Sequence, residues 1–201
     1  SRRRYAGWMK GKKRWILAGV LVVVGALALL VPRGGDRPPL VAEASVDLER
    51  YLGTWYVIAN IPYFAERGNV ASRAVYRQRD DGRMDDLYFY RDDFGADEES
   101  MEGVAWVVDE DSNARWKVRF VWPLTFDYVI LDVDEEYAHV AVGHPSRNYG
   151  WVMAREPRID ADEYQRLMTV FETNGYDPTE FLKVPQFPEQ VGRPGFQSPD
   201  D

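Results

Sequence analysis

From Gly53 to Arg155 the apolar residues recur at about every second position, and this alternation constrains the fold more than any other feature of the chain. A period of two is the spacing of a β-strand that has one face in a core and the other in water. In the run ARWKVRFVW, from Ala114 to Trp122, basic residues alternate with large apolar ones. Short runs separated by turn residues predict an all-β antiparallel barrel or sandwich. We place eight strands at 54–61, 70–78, 84–91, 101–109, 114–122, 127–134, 138–143 and 150–155.

The spacing becomes helical after the last predicted strand. Asp160 is the expected N-cap, Glu163 stands where it could complete a capping box, and Gly175 is the expected end. The apolar residues between them recur at i, i+3, i+4 and i+7, which is the pattern of one packed helix face. They are Tyr164, Leu167, Met168 and Phe171. We expect this helix to lie against the outside of the barrel.

Composition and charge exclude several classes of function. Of the 201 residues 45% are apolar, which is enough for one domain with a full core. Nine of the 25 basic residues and one of the 33 acidic residues lie at or before Arg37. The remaining 16 basic and 32 acidic residues make the predicted barrel acidic, which argues against nucleic acid as a partner. The chain contains no cysteine, so disulfides, thiolate metal sites and a cysteine nucleophile are excluded.

Residues 15–31 form a run without a charge, and the basic flank 1–14 precedes them. A membrane-spanning helix needs about 20 residues, and basic flanks stay in the cytoplasm. We therefore predict a transmembrane anchor, with a signal peptide cleaved near Ser45 as the alternative. Prolines and glycines make residues 32–45 a predicted tether, and the Pro-rich residues 187–201 are predicted to be extended or disordered.

Three short motifs accompany the strand pattern and occur in order along the chain. Gly53-Thr54-Trp55 opens the first strand, and DEEY, from Asp134 to Tyr137, stands at the turn between the sixth and seventh strands. AREP carries Arg155 at the end of the last strand. With the trailing helix, these motifs resemble those of the lipocalins. Val133 stands before Asp134 where many lipocalins have threonine, so the second motif is kept only in part.

The resemblance covers about Val46 to Gln186 and implies an eight-stranded antiparallel up-and-down lipocalin barrel with the C-terminal helix packed outside. The loop IPYFAERG, residues 61–68, is most similar to the branch of bacterial lipocalins, apolipoprotein D and plant temperature-induced lipocalins. Bacterial members of that branch commonly carry a lipobox cysteine, which this chain lacks. We therefore expect a single-pass protein of the bacterial inner membrane whose barrel faces the periplasm.

The resemblance also gives the motif residues a structural role. A short helical turn between Val46 and Tyr51 would cross one end of the barrel, and Gly53 would let the chain bend into the first strand. In the family an arginine of the last strand lies on the tryptophan ring, so we expect Arg155 to stack on Trp55. Such a cation–π contact is worth about 0.5–2 kcal/mol. Asp134 and Tyr137 belong to the same structural set.

An eight-stranded barrel with one end closed has an interior just large enough for one small ligand. The predicted inner faces are mostly aromatic or small, which favours a fatty acid, a lysophospholipid or another elongated hydrophobic molecule. The candidate ligand-binding residues are Ala74, Tyr76, Tyr88, Tyr90, Ala105, Trp116, Val118, Phe120 and Trp122. The same side chains could instead fill the interior. Small inner residues such as Gly103 favour the open barrel.

The loop after the first strand contains Tyr63, Phe64, Glu66 and Arg67. Exposed aromatic residues on a mouth loop predict a lid or a point of contact with a membrane. Folding back over the barrel as a shield is the alternative. Arg67 is a candidate for a head-group phosphate, and a surface ion pair with glutamate is the other interpretation.

Catalysis is not expected from this chain. Asp86 is the sole carboxylate that we place on an inner face, and one acid does not make an acid–base pair. We interpret His139 and His144 as surface or packing residues. No nucleophile elbow, phosphate-binding loop or metal-ligand spacing occurs, so neither a cofactor nor a metal is predicted. A lipocalin-fold enzyme acting on a lipid and a filled barrel docking on an envelope protein are the alternatives.

Overall fold

The computed structural model describes residues 37–199. The predicted basic flank and transmembrane run, residues 1–31, lie outside this described part. Within residues 37–199, no helix combines the length and the apolar character that crossing a membrane would require.

Eight strands form a closed antiparallel barrel, as predicted. Each strand pairs with the next one in sequence, and β1 also pairs with β8, which closes the barrel. The strands are β1 (Gly53–Asn60), β2 (Val70–Gln78), β3 (Met84–Arg91), β4 (Glu99–Val107), β5 (Arg115–Val121), β6 (Leu124–Val133), β7 (His139–Gly143) and β8 (Gly150–Ala154). Their ends differ from the predicted ends by no more than three residues.

The predicted helical turn before β1 is also present. It is α1 (Leu48–Tyr51), and Asp47 caps it by accepting a hydrogen bond from the Arg50 amide at 3.1 Å. Gly53 then adopts φ +98°, a conformation that residues with a side chain rarely take. The sharp bend from α1 into β1 therefore depends on this glycine.

Alternation along the strands produces one core inside the barrel and a second core outside it. The outer core lies under α2 (Ala161–Thr173), where Leu167, Met168 and Phe171 are buried. The predicted packing of the helix on the outside is confirmed. The predicted capping box is wrong, because Asp160 makes no side-chain capping bond and Glu163 accepts hydrogen bonds from Arg166 instead.

The predicted disorder of residues 187–201 is wrong for the residues that the structure describes. After α2 the chain forms β9 (Leu182–Lys183), which pairs with the end of β1. Residues 188–190 form a 3-10 turn, and the side chain of Gln197 is only 1% exposed. Its amide donates to the Asn60 side chain and accepts from the Gly68 amide. These buried polar contacts fix a segment that looks disordered by composition alone.

The predicted tether is likewise fixed over its described part, residues 37–45. Leu40 is buried in the outer core, and its carbonyl accepts from Arg115 at 2.7 Å. The carbonyl of Pro38 accepts from Arg147 at 2.6 Å, and the amide of Glu43 donates to the carbonyl of Ile130. Residues 37–45 therefore belong to the folded barrel.

Candidate ligand site in the barrel interior

The closed end of the barrel is built around Trp55, which has no exposed surface. The guanidinium carbon of Arg155 lies 3.8 Å from the centroid of the Trp55 rings, as the resemblance implied. The guanidinium also donates hydrogen bonds to four backbone carbonyls, those of Arg50, Tyr51, Thr54 and Tyr137. Arg155 therefore joins α1, β1 and the turn between β6 and β7.

The turn between β6 and β7 supports the same end. The hydroxyl of Tyr137 accepts from the amide of Asp47 at 2.7 Å, so it holds the start of α1. Asp134 accepts from the Ala138 amide and lies 2.6 Å from Nδ1 of His139. His139 and Asp134 also lie near Glu163, with possible ligand atoms within 4.8 Å of one another. Because these carboxylates already contact protein donors, we interpret the group as part of the polar closure of this end.

Five aromatic side chains fill the closed half of the interior. Neighbouring ring centroids in this cluster are 5.0 to 6.1 Å apart. The Tyr128 hydroxyl accepts from Tyr76 at 3.0 Å and lies 2.7 Å from the hydroxyl of Tyr51. We call this set the floor cluster; it consists of Tyr51, Trp55, Tyr76, Trp116 and Tyr128. Two predicted ligand-binding residues, Tyr76 and Trp116, therefore belong to a packed floor.

Six other predicted lining residues belong to the interior core or pack against it. Ala74, Tyr88, Ala105 and Val118 are buried in the interior core. Tyr90 and Phe120 pack against that core but are only partly buried. Two further residues that pack against the interior core were not among the candidates: Met101 and Trp151. The upper half of the barrel is thus the part that a ligand entering from the mouth would meet.

Two predictions about the interior are wrong. The space expected at Gly103 is occupied, because a Cβ placed there would lie 2.8 Å from the ring of Phe120. Trp122 does not line the interior. It follows β5 in the tight turn before β6 and is 79% exposed. The strand ends one residue earlier than its alternation suggested, so Trp122 stands on the rim.

The two aromatic residues predicted at the mouth, in the loop of residues 61–69, differ in their exposure to solvent. Phe64 is 57% exposed, whereas Tyr63 is partly buried and contacts the ring of Tyr149 at 5.3 Å. The loop therefore both shields the barrel and presents an aromatic ring to solvent. Arg67 is exposed and donates to the carbonyl of Pro62 at 3.4 Å, not to Glu66.

Glu66 is buried in this loop, and sequence reasoning placed it on the surface. Its carboxylate accepts hydrogen bonds from Asn60, from the indole of Trp151 at 2.9 Å and from the hydroxyl of Tyr63 at 3.2 Å. Burial raises its pKa, and these three hydrogen bonds lower it in part. Asn60 lies at the end of β1 and Trp151 lies in β8. The sequence pattern of these strands indicates only their apolar faces, so it gave no signal for this hydrogen-bond network.

Asp86 lies on the inner face of β3, as predicted, but it is not the sole interior acid. It is 4% exposed and pairs across the sheet with Tyr76 on β2 and Gly103 on β4. Burial raises the pKa of Asp86 to about 7, and the charge of Glu66 acts in the same direction. Two acidic side chains therefore face the interior from different depths.

A cleft of about 520 Å³ lies elsewhere, on the outer wall between β1, the start of α2 and the C-terminal segment. Its basic residues already have partners: Arg155 lies on Trp55, and Arg158 pairs with Glu189 at 3.3 Å. Lys183 lies over the ring of Tyr164 at 4.6 Å. The barrel interior, where buried polar groups and aromatic walls converge, is therefore the candidate ligand site.

An eight-stranded barrel with one end closed by a short helix, a tryptophan and an arginine defines a class of ligand-binding protein. Residues 46–186 match the family model of the lipocalin-like domain, and the chain belongs to this family. The resemblance predicted from the three motifs is confirmed. Proteins of this family generally bind small hydrophobic molecules.

Among its relatives is the outer membrane lipoprotein Blc of Escherichia coli, which is 33% identical over 173 residues, 85% of this chain and 97% of Blc. Temperature-induced lipocalin-1 of Arabidopsis thaliana is 32% identical and covers 75% of this chain and 85% of its own length. The structure of insecticyanin from the tobacco hornworm Manduca sexta superposes with a TM-score of 0.59 at 16% identity, over 82% of this chain and 90% of insecticyanin. This structural likeness concerns the fold alone.

Proposed function

We propose that this chain is a non-catalytic carrier that binds one fatty acid, lysophospholipid or similar molecule in the upper half of its barrel. The observation that carries this proposal is the contrast between the two halves. The floor cluster fills the closed half, whereas Tyr90, Met101 and Phe120 near the mouth are only partly buried. An apolar chain could enter there tail first, and its head group would remain at the rim near Arg67. The kinship with Blc supports lipid binding in the cell envelope.

Binding is favoured over catalysis by the engagement of Glu66. Both carboxylate oxygens of Glu66 accept hydrogen bonds from protein donors, so this group suits a structural role. The chain provides no cysteine, and the described histidines His139 and His144 lie at the ends of β7, outside the interior core. We therefore propose storage or transport, with an enzyme acting on a lipid as the alternative.

Native mass spectrometry of the purified chain tests the ligand proposal. We expect one lipid per protein, displaced by a fluorescent fatty acid. Ala74→Leu, which enlarges an inner side chain, should weaken uptake by about tenfold, since extra methylenes in a filled space cost about 1–3 kcal/mol. Val75→Leu is the matched control on the opposite face of β2. Equal uptake by both folded variants would place the ligand outside the barrel.

We further propose that residues 15–31 anchor the chain in the bacterial inner membrane, with the barrel in the periplasm. The basic residues before Trp15 support this orientation.

Fractionation of cells combined with N-terminal sequencing tests the anchor. We expect the chain in the inner-membrane fraction with residues 1–31 still attached. A soluble periplasmic product that begins near Ser45 would show instead that the segment is a cleaved signal peptide.

A further inference from the structure

Asp86 is a buried acidic group to which no protein group donates a hydrogen bond among residues 37–199. It lies two residues after Met84, near the closed-end turn between β2 and β3, and its neighbours across the sheet are Tyr76 and Gly103. No described group donates a hydrogen bond to its carboxyl group. By contrast, Glu66 has three donors. Buried polar side chains are nearly always paired, so an unpaired carboxyl needs an explanation.

The surroundings of Asp86 supply acidity but no positive charge. The titratable groups that act on it or feel its charge are Tyr51 from α1, Tyr76 on β2, Tyr128 on β6 and Glu66 from the mouth loop. The three tyrosine hydroxyls bond to one another. Among residues 37–199 one basic side chain is buried, that of Arg147. It donates to the carbonyls of Pro38 and Asn174 in the outer layer.

A buried carboxyl group in such surroundings is complemented by one kind of ligand group. Because two acidic groups and no basic group are present, a ligand that carries a carboxylate or a phosphate would be repelled here. An ammonium group donates three hydrogen bonds and carries the opposite charge, so it satisfies the carboxylate in both respects. The aromatic rings around Asp86 also attract a cation. Tyr76 and Tyr88 flank Asp86 along the inner wall.

We propose that Asp86 binds the protonated primary amine of an amphiphilic ligand that enters the barrel head first, with its apolar body in the upper half. This inference rests on the proposed function, because the barrel must admit an amphiphile. It adds a ligand class that the kinship does not suggest, and it makes Asp86 the residue that determines specificity. Glu66 belongs to the mouth loop, and its charge acts on Asp86, so it provides a second acidic group on the mouth side.

Competition binding to the full chain at pH 8 tests the proposal. Dodecylamine, 1-dodecanol and dodecanoate share the same alkyl chain and differ only in their head group. The affinity of each is measured by its displacement of the neutral fluorescent probe N-phenyl-1-naphthylamine. We expect dodecylamine to bind about tenfold more tightly than dodecanoate. Asp86→Asn should weaken dodecylamine by about 10- to 100-fold, as expected for a charged hydrogen bond, and should leave 1-dodecanol nearly unchanged.

Asp85→Asn is the matched control. Asp85 is the neighbouring residue, faces outward and pairs with Arg79 at 2.6 Å. It should leave the affinity for all three ligands unchanged. The pH profile is a second measurement: dodecylamine affinity should rise about tenfold from pH 6 to pH 8 in the natural chain, as Asp86 loses its proton, and this rise should be absent in Asp86→Asn.

Failure of this inference is distinguishable from failure of the proposed function. If 1-dodecanol binds and Asp86→Asn leaves the affinity for dodecylamine unchanged, the amine site is refuted and the carrier function stands. If neither the probe nor any of the three ligands binds, both are refuted. Circular dichroism confirms that each variant is folded, and Asp86→Leu provides a second uncharged side chain at the same position.

Discussion

Trp55→Ala is expected to lower the free energy of unfolding by about 3–5 kcal/mol, as other buried Trp-to-Ala changes do. The indole has no exposed surface, donates to the carbonyl of Tyr51 at 2.8 Å and contacts the floor cluster through Tyr51. Its removal would leave a cavity at the closed end that a rigid barrel cannot refill. Urea unfolding at pH 7 measures the loss. Trp55→Phe, which keeps an aromatic face, should lose less.

A double-mutant cycle with Arg155→Ala separates the stacking from the other contacts of Arg155. The guanidinium keeps four backbone carbonyls as acceptors whether or not the indole is present. The coupling energy should therefore reach only the cation–π part, about 0.5–2 kcal/mol. A coupling energy of zero would mean that the 3.8 Å stacking adds nothing to stability.

Asp86→Asn is expected to stabilise the ligand-free protein at pH 8 by about 4 kcal/mol and to have little effect at pH 4. The pKa of Asp86 rises from 3.8 to about 7 in the folded chain. The folded chain therefore binds this proton more tightly than the unfolded chain, and stability falls as the pH rises between these two values. Each unit of pKa corresponds to about 1.36 kcal/mol, which gives the expected difference. The asparagine side chain does not ionise and escapes this loss.

The measurement is urea unfolding of both proteins from pH 4 to pH 8. Asp85→Asn controls for the loss of one negative charge, and since its ion pair with Arg79 is partly exposed to solvent, its effect should stay below about 1 kcal/mol. A difference between Asp86→Asn and the natural chain that does not change with pH would contradict the assignment. Together with the amine test, a stabilising variant that loses binding would be typical of a functional residue.

The fold was accessible from the sequence because its determinants are local or periodic. Alternation along β5 predicted its inner face, and Gly53 and Trp55 identified the closed end. The helix stripe predicted the outer packing of α2. The capping box failed at Glu163, since Arg166 lies on the same helix face and a full charge competes successfully for the carboxylate.

The site was accessible only in part. Strand parity correctly placed Asp86 and Tyr88 inside, but parity does not reveal depth, so Tyr76 and Trp116 were assigned to the ligand instead of the floor. Glu66 was missed because a loop residue has no periodicity, and its three donors come from positions 3 to 85 residues away. Trp122 was misplaced because the alternation of polar and apolar residues continues in the sequence for one residue after β5 has ended at Val121.

The fixed flanks of the barrel have a consequence for how such a protein can diverge. The part recognisable by common ancestry is residues 46–186, yet Leu40 seals the outer core and Gln197 bonds to both Asn60 and Gly68 beside the mouth. Asn60 in turn holds Glu66. Substitutions in a segment beyond the shared domain can therefore reach the entrance of the barrel through two amide contacts. The barrel of the shared domain can therefore stay the same while its entrance changes through substitutions outside residues 46–186.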